Sequence, residues 1–251
     1  MRPRYIIGLV GIGLLVAALA WAATGLPAFG HYNQAYGRVA ARDAVPTRNG
    51  TNSVVITSFD YRGFDTLGEE FILFVSVTGV VVLLRRMRSA GREEDSAASS
   101  GEIEEEDMRA STGERWLGAA AVGPVAVLAA YVIIHGQLTP GGGFQGGTVL
   151  MGAAAFLALG GESALMLRIR GSSSPIEIAE SIGAGGFAAI AFGGLIAGGV
   201  FFFNFLPYGK AGLLTAGVVP LDNIAVGLEV AGALLMVTSE LFEQRLRGGA
   251  T

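Results

Sequence analysis

The sequence has no cysteine and only two histidines, His31 and His135. Disulfide frameworks, zinc ligand sets, iron–sulfur ligation and cysteine nucleophiles have no residues to build them, so no metal site and no cofactor is expected. Charge is scarce as well. Charged residues make up 15% of the 251, against about 25% in soluble globular chains, and Lys210 is the single lysine. There is no GxxxxGK(S/T) phosphate loop, no GxSxG elbow and no histidine pair at ligand spacing, which excludes an autonomous ATPase or hydrolase. A proton wire of lysine, histidine and glutamate cannot be assembled from this chain alone. No pair of apolar runs is repeated as the inverted halves of a complete transporter would be. These absences point to a transport subunit of something larger and not to an enzyme.

What is present is apolar sequence, 51% of the chain. Six runs are long enough for the roughly 20 residues that cross a hydrocarbon core: about 5–24, 67–84, 116–135, 148–167, 178–203 and 222–241. The first carries an Ala20-Trp21-Ala22 triplet of signal-peptidase type, but Tyr5 and Trp21 bracket it as interfacial aromatics, so a retained helix is expected. With the N-terminus in the cytoplasm, twelve basic residues fall inside and five outside. The expected fold is an all-α, multi-pass integral membrane protein of the inner (cytoplasmic) membrane, with six transmembrane helices, N-in and C-in. The fifth run ends at Phe201-Phe202-Phe203, which reads as its outer interfacial end.

Residues 88–114 hold nine acids against three arginines, a local balance of −6 in a chain of net charge −4. The acidity therefore belongs to one connector and implies no nucleic-acid partner. Its composition predicts a mobile cytoplasmic linker. The 39 glycines fall largely inside the apolar runs, with small-xxx-small spacings at Ala119/Gly123, Ala189/Gly193, Gly194/Gly198 and Gly227/Ala231. Such spacings let helix backbones approach. Gly183-x-Gly185-x-x-Ala188 imitates a dinucleotide fingerprint but has no preceding strand, and is discarded.

Ionisable residues inside membrane helices are costly and mark function by default. Glu229 stands seven residues inside Asp222 in the last run. Three roles are open to it: a cation or proton relay, a structural hydrogen bond to a neighbouring helix, or a protonated acid facing lipid. Glu162 follows Gly160-Gly161 near the cytoplasmic mouth of the fourth run. Glu69 and Glu70 begin the second run, where a helix dipole alone favours acids, and Glu180, Asp222 and Glu240 stand nearer the ends of theirs, with Glu240 expected to be solvated.

Two segments carry denser patterns. His135-Gly136-Gln137-Leu138-Thr139-Pro140-Gly141-Gly142-Gly143-Phe144-Gln145-Gly146-Gly147 stops one helix at a proline and offers backbone free to take φ > 0 before the next begins. A plain hairpin needs no Phe144 or Gln145, and both suit contact with a partner. Phe59-Asp60-Tyr61-Arg62-Gly63-Phe64-Asp65-Thr66-Leu67-Gly68-Glu69 places Asp60, Arg62, Asp65 and Glu69 where an ion-pair network at the outer face can form. In the simpler reading Asp65 and Thr66 cap the second helix.

On these two segments the chain resembles the Mrp-type multisubunit cation/proton antiporters. HGQLTPGGGFQGG and the four runs around it, residues 115–251, look like the family's B subunit. Residues 1–88, with FDYRGFDTLGE, look like the two-helix C-terminal piece of the A subunit, which occurs as a separate small subunit in related membrane-bound hydrogenases. The acidic stretch 89–114 would join the two. The resemblance implies a subunit of a complex that exchanges Na⁺ or another monovalent cation for H⁺ using the proton-motive force, with other antiporter subunits and the lipid bilayer as its partners. It also implies an assembly or ion-path-lining role. The alternative is the membrane arm of a hydrogenase-like, redox-driven complex; a freestanding channel, acting as a homo-oligomer, is disfavoured by the few intramembrane polar residues.

Overall fold

The computed structural model describes residues 3–25, 35–95, 111–159, 175–210 and 212–248, and every regular element in them is helical. Glu162, His31 and the linker from 96 to 110 lie outside the described residues. The chain divides into two compact units, Met1–Arg38 and Val39–Thr251.

The first unit holds α1 (Pro3–Thr24), which is apolar all round. Leu9, Ile12, Leu14, Val16, Leu19 and Trp21 are all exposed on it. A helix without a polar face buries nothing by itself and suits lipid on every side.

α2 (Ala35–Arg48), whose residues from Val39 on belong to the second unit, ends with Asn49 in the left-handed region, φ 54°. A short α3 (Ser53–Ile56) follows, capped by the Asn52 side chain on the amides of Val54 and Val55. A π-helical turn, Thr57–Tyr61, then leads into α4 (Gly63–Asp95). The part that precedes the linker thus has more than the two expected helices. Asp65 and Thr66 do not cap α4, which has already begun at Gly63: Asp65 pairs with Arg62, and the Thr66 hydroxyl donates to the Ser58 carbonyl at 2.7 Å.

α5 (Thr112–Ile134) starts at a capping box in which Ser111 accepts from the Glu114 amide and the Glu114 carboxylate accepts from the Ser111 amide. α6 (Gly143–Leu159) begins five residues before the expected run, so Phe144-Gln145-Gly146-Gly147 is helix and not loop. α7 (Pro175–Gly198) stops five residues short of the expected 203 because Gly199, at φ 77°, terminates it. The phenylalanine run is therefore no helix end. It folds back, and Phe202 packs against Phe187 with ring centroids 5.0 Å apart. α8 (Val219–Gly248) closes the chain.

Among the described residues, four helices are long and apolar enough to cross a membrane: Gly63–Arg86, Thr112–Ile134, Pro175–Gly198 and Val219–Leu241. The chain is a multi-pass helical membrane protein. α8 is central and packs on α4, α5, α6 and α7. A core of Ile56, Phe59, Phe187, Phe202, Val226 and Val230 joins residues from both sides of the linker.

Candidate functional site

Asp222, Glu229 and Glu240 on α8 are seven and eleven residues apart, close to two and three turns at about 3.6 residues per turn. They consequently share one face of the helix. The 18 residue steps from first to last rise about 27 Å, nearly the depth of a hydrocarbon core of about 30 Å. All three are buried, and groups from α2, α4, α7 and the π-helical turn meet them at three levels.

At the first level Arg48 pairs with Asp60, whose side chain is 3% exposed, and the guanidinium lies 5.0 Å from the Tyr208 ring centroid and 5.3 Å from that of Tyr61. Burial opposes the charge on Arg48, but the hydrogen bond and charge of Asp60 outweigh it and hold the guanidinium above its ordinary value. The Tyr208 hydroxyl is pushed up by burial and by the charge of Asp60, against the opposing charge of Arg48. Asp222 lies within electrostatic range of Asp60. It is fully buried, and neither of its oxygens has a hydrogen-bond partner among the described residues.

At the second level Glu229 of α8 interacts with Glu70 of α4 and, next in strength, with Glu180 of α7. Glu229 is 0% exposed and the other two 4% each. Both oxygens of Glu229, Oε2 of Glu70 and Oε1 of Glu180 lack hydrogen-bond partners among the described residues. Glycines make this meeting possible. A Cβ on Gly183 would lie 2.4 Å from the Glu229 amide nitrogen, and one on Gly232 would lie 2.8 Å from the Glu180 Cβ. The close seam between α7 and α8 brings the two carboxyls together.

At the third level Arg85 of α4 donates from Nε to Glu240 at 2.8 Å and from Nη2 to Glu177 of α7 at 3.0 Å. Glu240 is thus a buried partner of an arginine and not a solvated end. Glu70, Glu180 and Asp222 are likewise buried.

Of the residues singled out in the sequence, Glu229 and Asp60 enter this row, and so do Glu70, Glu180, Asp222 and Glu240, read there only as acids nearer the helix ends. Asp65, Glu69 and Arg62 are exposed. The glycine-rich segment divides in two. Gly143 and Gly147 press on α8, with Cβ positions 2.5 Å from the Asn223 carbonyl and 2.7 Å from that of Gly227, and Gly146 presses on α5. Asn223 fixes the start of α6 by accepting the Gly143 amide at 2.9 Å. Phe144, Gln145 and Pro140 face outward. Gly141 and Gly142 have φ of 149° and 142°, as the expected turn required. His135, half-buried, stacks on Tyr131. The glycine-rich segment is also held by the cap of α3: Asn52 donates to the carbonyls of Gly136 at 2.8 Å and Thr139 at 2.9 Å. Sequence reasoning missed Arg48, Arg85 and Glu177. The seven-and-eleven spacing on α8 was the signal available for the row itself.

A helical membrane subunit with a row of buried acids along one central helix is the class defined by this fold. Residues 116–236 match the family described as a domain related to the MnhB subunit of Na⁺/H⁺ antiporter, and residues 2–100 match the family of the MBH E subunit. An uncharacterized protein of Methanocaldococcus jannaschii is 30% identical over 203 residues, 73% of this chain and 74% of that protein. A chain of the membrane-bound sulfane sulfur reductase, an archaeal respiratory membrane complex, shares the fold at TM-score 0.64 and 22% identity, over 95% of this chain and 97% of that one. A chain of the Mrp complex from Dietzia sp. does so at TM-score 0.63 and 19% identity, over 96% of this chain and 26% of that one. The chain belongs to the Mrp/Mnh-related family of membrane subunits of ion-translocating complexes, with an MnhB-related part and an MbhE-type part.

Proposed function

We propose that the chain is a subunit of an Mrp-type complex that exchanges Na⁺ or a similar monovalent cation for H⁺ at the expense of the proton-motive force, and that it lines part of the ion path. The observation that carries this reading is Glu229, a fully buried carboxyl without a donor halfway along a membrane helix. A structural acid acquires a donor, whereas an acid in an ion path is left free to exchange one. Asp222 and Glu240 on the same face supply steps on either side. In this reading the chain crosses the cell membrane six times, N-in and C-in, with residues 1–88 and 115–251 as two modules joined by the linker at 89–114. Asp60, Asp65 and Glu69 belong to the outer mouth, and Glu162 to the inner one. Phe144 and Gln145 form the docking surface for another subunit, with Pro140 beside them, while His135, Thr139, Gly141, Gly142 and Gly143 set its shape and Arg62 orients Asp65.

The fold likeness to the sulfane sulfur reductase chain over nearly all of both chains favours a second reading, in which electron transfer in other subunits drives the same path. The first reading is tested in inverted membrane vesicles. Glu229→Gln lowers cation-dependent proton exchange by about tenfold, the rate equivalent of about 1.4 kcal/mol, while the complex still assembles. Unchanged exchange overturns the assignment.

A further inference from the structure

The middle level of the row differs from the other two in having no basic partner. At the third level Glu240 takes Arg85, and at the first Asp60 takes Arg48. Glu70, Glu180 and Glu229 come from three helices, each is more than nine-tenths buried, and each presents at least one oxygen without a hydrogen-bond partner among the described residues. Buried polar atoms are ordinarily satisfied, and a carboxylate only accepts, so these oxygens require a proton or another donor. The sequence on both sides of the linker contributes, Glu70 from one part and Glu180 and Glu229 from the other.

We infer that Glu70, Glu180 and Glu229 form one proton-binding site, in which Glu229 and Glu70 share the proton and Glu180 stands as the neighbouring acid, and whose ligand is not the metal cation; this rests on the reading of the chain as lining the ion path. The geometry selects the proton. Among the described residues no three acidic or histidine side chains converge at the spacing that holds a metal ion. The seam beside Glu229 is walled by Gly183, Ala225 and Gly232, which offer no side-chain oxygen, and helical carbonyls are already engaged in helix hydrogen bonds. A hard cation needs several oxygens to replace its water, whereas a proton needs one. On arrival the proton forms a single O–H bond with one carboxylate, and that hydroxyl then donates to an oxygen of a neighbouring carboxyl. On departure the same O–H bond breaks and the carboxylate returns. The ionisable groups around the site are Glu69 beside Glu70 on α4, Glu177 on α7, and Asp222 and Glu240 on α8, with Arg85 engaged by Glu240 and Glu177. α6, which also packs on α8, has no ionisable residue.

The test is infrared difference spectroscopy between acid and alkaline pH on the intact complex in lipid bilayers, reading the C=O band of protonated carboxyls. The expected result is a band that titrates with pH, does not respond to added Na⁺ at fixed pH, and is perturbed by Glu229→Gln, Glu180→Gln and Glu70→Gln alike. If Glu229→Gln fails to assemble, the other two variants read the same band. In vesicles the double variant Glu180→Gln/Glu229→Gln lowers proton exchange no further than the loss of about tenfold from Glu229→Gln alone, because residues acting as one unit are not additive. A band untouched by the variants, a band that Na⁺ titrates, or additive losses overturn the proposal. The band is read without transport. A normal band in a complex with no cation exchange therefore overturns the antiporter reading and leaves the shared-proton site standing.

Discussion

Asp60 and Glu229 are both buried acids, but one has a cation and the other has none, and this sets opposite responses to neutralisation. Asp60 depends on Arg48. Arg48→Met leaves that carboxylate buried without its partner and is expected to destabilise the chain by about 3 kcal/mol, the lower end of the cost of breaking a buried pair because Arg48 keeps some contact with water. Adding Asp60→Asn to Arg48→Met restores most of the loss. A thermal unfolding series in detergent reads both steps, and a pair of unchanged midpoints contradicts the structural role of this ion pair. Glu229→Gln, by contrast, breaks no ion pair and keeps an amide donor toward Glu70, so its midpoint stays at or above that of the parent chain while transport falls. A lowered midpoint would identify Glu229 as a structural acid.

The seam between α7 and α8 makes its own prediction, because it is built on contacts that leave no room for a Cβ. Gly183→Val drives a side chain into the Glu229 backbone and costs about 1–3 kcal/mol as an overpacked contact. Gly123→Ala on α5, where a Cβ would meet nothing within 4 Å, stays within about 0.5 kcal/mol. Equal effects on the thermal midpoint would contradict the packing described. On α6, Phe144→Ala reduces recovery of the intact complex on native gels without unfolding the chain, since Phe144 faces away from α5 and α8; a normal yield argues against docking there. The sequence made the helical class, the last span and the mid-span acid legible, because composition, apolar run length and the position of Glu229 are local properties. It misplaced the start of α6 because glycines used for close helix contact, at 143, 146 and 147, have the same letter as those used for a turn, at 141 and 142. It read Glu240 as solvated because the surroundings of that residue come from elsewhere in the chain: Arg85 is 155 positions from Glu240. The small-residue spacings divide in the same way. Gly227 meets Ile133 of α5, whereas Gly194 and Gly198 meet the returning Phe202 and Phe203, and Gly123 meets nothing.

At the scale of the whole molecule, each level of the acid row is assembled from both sides of the linker: Arg48 and Asp60 with Asp222, Glu70 with Glu180 and Glu229, and Arg85 with Glu177 and Glu240. The Asn52 contacts with Gly136 and Thr139 tie the same two parts together beyond one end of the spans. The exposed apolar faces of α4, α5 and α7 and the outward Phe144 leave a large surface for lipid and for other chains. The central claim is therefore that this chain works as one subunit of a cation/proton antiporter. Mild detergent extraction of the tagged chain from its native membrane, followed by mass spectrometry of what copurifies, tests it most directly. The account predicts large antiporter-like subunits without redox proteins. Recovery with metal-cluster or hydrogenase-like subunits contradicts the antiporter reading, and recovery of the chain alone in an active form contradicts its being a subunit at all.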